Sequence, residues 1–281
     1  MNHQKHAWLK TVTGNQAPLF FILGPCSIEN ETDTLKAAEF LKSLSEKLKF
    51  NLIFKVAFDK ANRLSLSSFR GHGLDEGLKI LSKVKEQFDL PLITDIHESE
   101  QAAPVAEVVD VIQIPAMLCR QTDLLLAAGK TGKPVHVKKG QFFAPEDMQG
   151  VITKVESTGN ENVWLCERGY SFGYKNLVVD YRNFPIMKQY GKPVVFDATH
   201  AVQRPGGQGH ASGGDRFMVS TLATAAVSLG LAGVFMEVHA NPEQALCDGP
   251  NMVRHSQLES LVAYLMDLDA WVKGRSAPEV W

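Results

Sequence analysis

The chain has 281 residues, 29 basic against 31 acidic, and a net charge of −2. So balanced a composition excludes the global positive field that draws proteins to nucleic acid or anionic membranes, and any anion binding must come from local clustering. No apolar run approaches the ~20 residues of a membrane span, MNHQKHAWLKTVTGNQ lacks the apolar core of a signal peptide, and cysteines at 26, 119, 166 and 247 are too few for a disulfide framework, so a cytoplasmic protein with reduced thiols is expected.

Residues 1–18 read as a surplus element, a hairpin or strand closing the bottom of the fold. Short β-rich runs then follow at 19–25, 51–58, 91–97, 111–116, 134–139, 163–168, 193–199 and 233–239. Segments of helical periodicity separate them, with Leu74, Leu78, Leu81 and Val84 on one stripe and Leu258, Leu261, Val262, Leu265 and Leu268 on another. Eight alternations predict an α/β protein whose parallel sheet closes on itself, a (β/α)8 TIM barrel. Such barrels commonly run to about 250 residues as one domain, so 1–281 is read as a single domain with 1–18 as an N-terminal extension.

Barrel interiors are filled mainly by branched apolar side chains, so a charged residue on the inward period-2 face of a strand needs a reason. Lys55, Ala57 and Asp59 share one face of the second strand, Asp95 and His97 of the third, His136 and Lys138 of the fifth, Cys166 and Arg168 of the sixth, and Glu237 and His239 of the eighth. Parallel barrel strands are covered on both faces, so these groups point to a polar site at the C-terminal rim. Lys55, Lys60, Arg63, Arg120, Lys138 and Arg168 make one side of it cationic. Salt bridges to Asp59 and Glu167 account for one or two of them; the rest call for anionic substrates, because a buried ion costs several kcal/mol to desolvate, and a mixed lysine and arginine set suits more than one anionic group.

GPCSIE, FDATH and MEVHANPEQALCD place Cys26, His200, Glu237 and Asp248 at or just beyond strand ends. One thiolate, one imidazole and two carboxylates suit Zn, Fe, Mn or a similar divalent ion and suit Ca or Mg poorly. A lone Cys or His at a strand end is more often structural, so only the shared location favours a metal. Cys119 and Cys166 read as small core residues. RPGGQGHASGG at 204–214 is either a flexible linker or a lid over the mouth, and it carries no nucleotide-loop pattern. His136 is open between a satisfied core residue and a supporting role.

Over Leu19 to Leu268 the chain also resembles the 3-deoxy-D-manno-octulosonate 8-phosphate synthases, through FDKANR at 58–63, ITDIHE at 93–98, PVAEVVDVIQIPA at 104–116, RQTDL at 120–124, FGYKNLVVD at 172–180, ASGGDR at 211–216 and CDGP at 247–250. The resemblance implies a barrel transferase, usually a homotetramer, that condenses phosphoenolpyruvate with D-arabinose 5-phosphate, releases phosphate and feeds lipopolysaccharide synthesis. It implies that Lys60, Lys138 and Arg168 take phosphoenolpyruvate with Gln141 and Ala116 nearby, that Gln113 and Arg120 also bind substrate, and that Lys55 lies close to the reacting centre. Asp95 and His97 line the pocket, His200 joins the catalytic set, and Asn62 and Arg63 reach a sugar phosphate in a neighbouring subunit's site. Cys26, where metal-independent members carry Asn, implies the metal-dependent branch. Three departures stand beside this: KANRSS reads KANRLS, so Leu64 lacks a hydroxyl that Ser65 or the backbone must replace; Ala57 replaces a serine; and Cys247-Asp248-Gly249 matches the metal-independent branch more closely. The nearest rival, the 3-deoxy-D-arabino-heptulosonate 7-phosphate synthases, shares the GPCS motif, uses erythrose 4-phosphate and reads KPRT where this chain has KANR. A catalytically idle binding protein on the same scaffold is a further alternative.

Overall fold

The computed structural model describes residues 6–63, 65–205 and 213–276. Eight parallel strands, β1 (Phe20–Gly24), β2 (Asn51–Lys55), β3 (Leu92–Asp95), β4 (Val111–Ile114), β5 (Val135–Lys138), β6 (Val163–Glu167), β7 (Val194–Asp197) and β8 (Gly233–His239), pair in sequence order. β1 also pairs with β8, Phe20 opposite Gly233 through Gly24 opposite Glu237, and the barrel is closed. Helices α1 (Glu31–Leu48), α2 (Leu74–Phe88), α3 (Ala102–Val108), α4 (Thr122–Lys130), α5 (Met148–Glu156), α6 (Asn183–Lys188), α7 (Val219–Val227) and α8 (His255–Lys273) follow the strands in turn. Each expected β run contains the corresponding strand, and the predicted stripes of α2 and α8 are the ones that dock.

The period-2 alternation of each strand divides the core in two. Outward residues such as Phe21, Leu23, Phe54, Ile112, Val137 and Phe196 pack with the helices. Inward residues Phe20, Ile22, Ile53, Ile93, Val111, Trp164, Val195 and Phe235 fill the lower barrel. α1 starts sharply because Asn30 in extended conformation accepts a hydrogen bond from the Asp33 amide at 2.8 Å, the usual Asn cap.

The N-terminal segment closes the bottom, but as a 3-10 turn, Ala7–Thr11, not as a hairpin or strand. Trp8, Leu9 and Val12 pack into the inward cluster, and the rings of Trp8, Phe20 and Trp164 lie in series, mutually tilted, with centroids 5.9 and 5.2 Å apart. Asn15 fastens the segment, its side chain accepting from Val194 N and donating to Lys192 O. A turn suffices there because the sheet is already closed and offers no edge to pair.

At the other end, β2 stops at Lys55. Ala57 then bridges Ser27, and Asp59 bridges Gly71. Asp59 therefore leaves the inward face and pairs with Arg70. Gly24 permits the close approach of β1 to β2, since a Cβ at this position would lie 1.8 Å from the Lys55 carbonyl oxygen. Relief would require backbone movement next to Lys55, so Gly24→Ala is expected to cost at least about 3 kcal/mol, the upper end of overpacking penalties, with thermal melting as the measurement. The candidate lid falls mostly outside the described residues, as do Leu64 and His210. No helix among the described residues is long and apolar enough to cross a membrane.

Candidate active site

Above the apolar layer, the inward positions at the C-terminal strand ends become polar. Lys55, Asp95, Gln113, His136, Lys138, Asp197 and Glu237 are all buried there. Lys55, only 1% exposed, places Nζ 3.3 Å from Glu237 Oε1, 3.6 Å from Asp95 Oδ2 and 3.3 Å from the Cys26 carbonyl oxygen. Lys60 reaches the same Glu237 oxygen at 3.4 Å from the loop after β2. Lys138 Nζ is 2.6 Å from Asp197 Oδ2 and 3.8 Å above the centroid of the Phe235 ring.

Lys55, Lys60 and Lys138 thus each have a carboxylate partner. This corrects the expectation that salt bridges to Asp59 and Glu167 account for one or two of the six cations: three are paired, and their partners are Glu237, Asp95 and Asp197, while Asp59 pairs with Arg70 and Glu167 with Lys139. Arg168 is different. It is 4% exposed, donates from Nη2 to Gln203 Oε1 at 3.3 Å, leaves Nη1 buried without a hydrogen-bond partner, and makes no ion pair within 4 Å among the described residues.

Electrostatics follow from this geometry. Burial pushes the carboxyl pKa values of Asp95 and Glu237 up, but surrounding cations prevail: Lys55, Lys60 and Lys138 hold Asp95 far below its ordinary value, and Lys60, His200 and Lys55 do so for Glu237. Asp197 is likewise held low against its burial by His200 and Lys138. Burial lowers the pKa of Arg168. For Lys60, burial opposes the charged form, and the charges of Cys26, Glu237 and Asp95 outweigh it. The shifts at Asp95, Glu237, Asp197 and Lys60 favour the charged form of each at neutral pH.

Gln113 lies deeper than a substrate ligand would. Its amide nitrogen donates to Asp95 Oδ1, and its oxygen faces His136 Nδ1 at 2.9 Å. An acceptor facing Nδ1 assigns the proton to that nitrogen. His136 is fully buried, and desolvation lowers its pKa to about 3. In the unfolded chain it titrates near pH 6.5. The unfolded state therefore binds the extra proton first as pH falls. His136 contributes no penalty above about pH 6.5, and stability is lost progressively from there down to about pH 3. Urea titrations between those pH values should show a decline that His136→Gln flattens.

Cys26 Sγ and carboxylate oxygens of Glu237 and Asp248 all lie within 4.8 Å of one another. His200 comes from the turn after β7, with Nε2 3.6 Å from Glu237 Oε1 and 3.9 Å from Asp248 Oδ2, while its Nδ1 lies 2.8 Å from Asp197 Oδ2. Glu237 Oε2 is buried without a hydrogen-bond partner. The donor set and the unsatisfied oxygen fit a divalent ion, and a carboxylate behind the imidazole is the usual means of fixing a ligating histidine. Cys247 does not join the set. Its sulfur contacts Ser27 Oγ at 3.1 Å, and it packs with Cys26 and Met252. Burial first, then the Cys247 hydrogen bond, keeps the Cys26 thiol pKa well above ordinary.

The other candidates are more dispersed. His97 stands at the rim, edge-on to Phe58, with its pKa lowered by burial. Ala116 begins the turn after β4, and Gln141 follows β5 with a buried, unpartnered Oε1. Arg120 is exposed, its guanidinium 5.6 Å from the Phe143 ring, and joins none of the mouth's ion pairs. Asn62 is exposed and Arg63 half-buried in the loop after β2. His239 passes beyond the rim and lines a cavity of about 370 Å³ with Glu29, Asp33 and His255. Cys119 and Cys166 are buried core residues. The residue that sequence reasoning passed over is Asp197: FDATH was read for its histidine, although the aspartate is two positions beyond inward Val195 and shares its face.

Comparison with known proteins agrees with this arrangement. The model of the DAHP synthetase I family matches residues 2–273. A protein of Trichlorobacter lovleyi is 60% identical over 255 residues, covering 91% of this chain and 94% of that protein. One of Geobacter sp. (strain M21) is 58% identical over 259 residues, covering 92% and 95%, and one of Geobacter sulfurreducens is 56% identical over 260, covering 92% and 96%. Each of the three is named 2-dehydro-3-deoxyphosphooctonate aldolase. With identity of this degree along almost the whole length, the chain belongs to the DAHP synthetase I family, within its group of 2-dehydro-3-deoxyphosphooctonate aldolases.

Proposed function

We propose that this chain condenses phosphoenolpyruvate with D-arabinose 5-phosphate, giving 3-deoxy-D-manno-octulosonate 8-phosphate and phosphate. The observation that carries the reading is the meeting of Lys60, Lys138 and the unpaired Arg168 at the mouth of a barrel 56–60% identical to the named relatives. Arg168 and Lys138 hold the phosphate and carboxylate of phosphoenolpyruvate, with Lys60, Ala116 and Gln141 beside them. Lys55, held between Glu237 and Asp95, stands at the reacting centre. C3 of the enol attacks the sugar aldehyde, water adds at C2, and the tetrahedral intermediate collapses with C–O cleavage to release phosphate. Holding both reactants in one geometry is the protein's main contribution, because it converts a rare encounter into an intramolecular step. Asn62, exposed, and Arg63, half-buried, serve the sugar phosphate of an adjoining subunit, in a homotetramer that light scattering at several concentrations tests. The substrates place the reaction in the cytoplasm, supplying lipopolysaccharide synthesis.

Cys26, His200, Glu237 and Asp248 hold a divalent ion such as Zn, Fe or Mn. When bound, it supplies Lewis-acid character toward the aldehyde or the attacking water. Chelation with verified metal removal should abolish turnover, and add-back should restore it; full activity of the stripped protein overturns the metal requirement.

The substrate assignment is tested by incubating the protein and phosphoenolpyruvate with arabinose 5-phosphate or erythrose 4-phosphate and measuring phosphate release. Turnover with the five-carbon sugar alone is expected. A preference for erythrose 4-phosphate selects the heptulosonate reading, and release with neither sugar points to an idle scaffold.

A further inference from the structure

Behind the mouth, on the outward side where β5 and β6 end, is a second buried charge pair that makes no hydrogen bond or ion pair with the side chains of the mouth. Lys139 is fully buried. Its Nζ donates to the carbonyl oxygens of Gly140 and Phe143 at 3.3 and 3.2 Å, lies 3.6 Å from Glu167 Oε2 and sits 3.6 Å from the centroid of the Tyr170 ring. Glu167, also fully buried, accepts from the backbone amides of Arg168 and Gly169 at 3.0 and 2.6 Å through Oε1, and from Asn183 Nδ2 at 2.7 Å through Oε2. Tyr170 closes the ring by donating its hydroxyl hydrogen to Asn183 Oδ1 at 3.2 Å.

An ion pair so completely desolvated is a poor device for stability alone, since burial of both ions offsets most of their attraction. Its sequence position gives it another use. Each member directly adjoins a mouth cation on the opposite face of the strand, Lys139 next to Lys138 and Glu167 next to Arg168. Glu167 clamps the two amides of the turn in which Gly169 adopts φ +89°, and that turn sets the direction of Arg168. Lys139 gathers the carbonyls of the loop that carries Gln141, and the Gln141 carbonyl accepts from Ser171 N at 3.1 Å, so the two loops are joined.

We propose that Lys139 and Glu167 are positioning residues that fix Lys138 and Arg168 as one preorganised anion clamp. The proposal rests on the assignment of those two cations to phosphoenolpyruvate. It requires Lys139→Met and Glu167→Gln to impair one substrate selectively, whereas a merely structural role impairs both or neither.

Steady-state kinetics should show KM for phosphoenolpyruvate rising about tenfold or more, with kcat changed by less than about threefold and KM for arabinose 5-phosphate by less than about twofold, the pattern of lost ground-state binding. Inorganic phosphate, titrated calorimetrically, should weaken in parallel, and Lys139→Arg should recover part of both losses. Tyr170→Leu removes the ring beneath Lys139 and the hydroxyl bond to Asn183 from this half-buried edge while keeping both charges, and it carries the same readout should the charge variants fail to fold. Equal rises in both KM values, or a lower melting temperature with unchanged KM and phosphate affinity, overturn the proposal. Phosphate titration needs no turnover, so loss of the clamp remains distinguishable from a wrong substrate assignment, which shows as wild-type protein inactive toward these two substrates.

Discussion

Asp197→Asn is expected to destabilise the chain by about 3–5 kcal/mol, the cost of removing one partner from a buried ion pair. Asp197 is fully buried, with Lys138 Nζ at 2.6 Å, His200 Nδ1 at 2.8 Å and the His200 amide at 2.9 Å. An amide of the same shape can accept from only one side, so Lys138, above the Phe235 ring, loses the one ion-pair partner it has within 4 Å among the described residues. Urea unfolding should show a lower midpoint with an unchanged slope. Turnover should fall with it, because Lys138 and His200 both lose the group that aims them. The competing physical effect is repulsion among Asp197, Glu237, Asp95 and Asp248 across one mouth. If the variant matches or exceeds the parent in stability, that repulsion outweighs the attraction to the lysines, and the site is strained for function.

Arg168→Ala should act in the opposite sense on the two quantities. Its guanidinium is buried, has one hydrogen bond to Gln203, and forms no ion pair among the described residues. Truncation removes a desolvated charge that has no ion-pair partner within 4 Å among the described residues, so unfolding free energy is expected to hold or rise. A charge pair with a substrate phosphate, once broken, costs about 2–5 kcal/mol, which lowers kcat/KM for phosphoenolpyruvate by about 30-fold to 5,000-fold. Arg168→Lys should restore only part of this, since a point charge lacks the forked geometry that matches phosphate. The measurement is kcat/KM against each substrate alongside a denaturation curve. An unaffected kcat/KM would place phosphoenolpyruvate elsewhere.

These two residues mark how far the candidate site could be read in advance. Arg168 was legible, because a cation on the inward face of a barrel strand conflicts with the apolar rule for that position. Asp197 carried the same signal at the same kind of position, yet its neighbour His200 drew the reading, and no local pattern said that the aspartate would hold both a histidine and a lysine. Lys55 and Lys138 were placed at the mouth by alternation, and Lys60, one position past the inward series 55, 57 and 59, by the family resemblance. Their carboxylate partners were not, since Glu237 is 182 residues from Lys55 and 177 from Lys60, and Asp197 is 59 from Lys138. Arg120 shows the limit from the other side: it lies beyond the end of β4, where period-2 alternation no longer specifies direction, and the chain turns it outward.

What the sequence by itself determined was the closed barrel and the rim at which polar groups collect, because hydrophobic period and turn residues are local and are repeated eight times along the chain. Tertiary structure alone decided which opposite charges meet, that Gln113 supports Asp95 from below, that Cys247 stays out of the candidate metal cluster, and that Arg168 is left without an acid. Closure brings together side chains from strands far apart in sequence, and angstrom-scale distances between them depend on strand stagger and loop direction, which no single segment encodes.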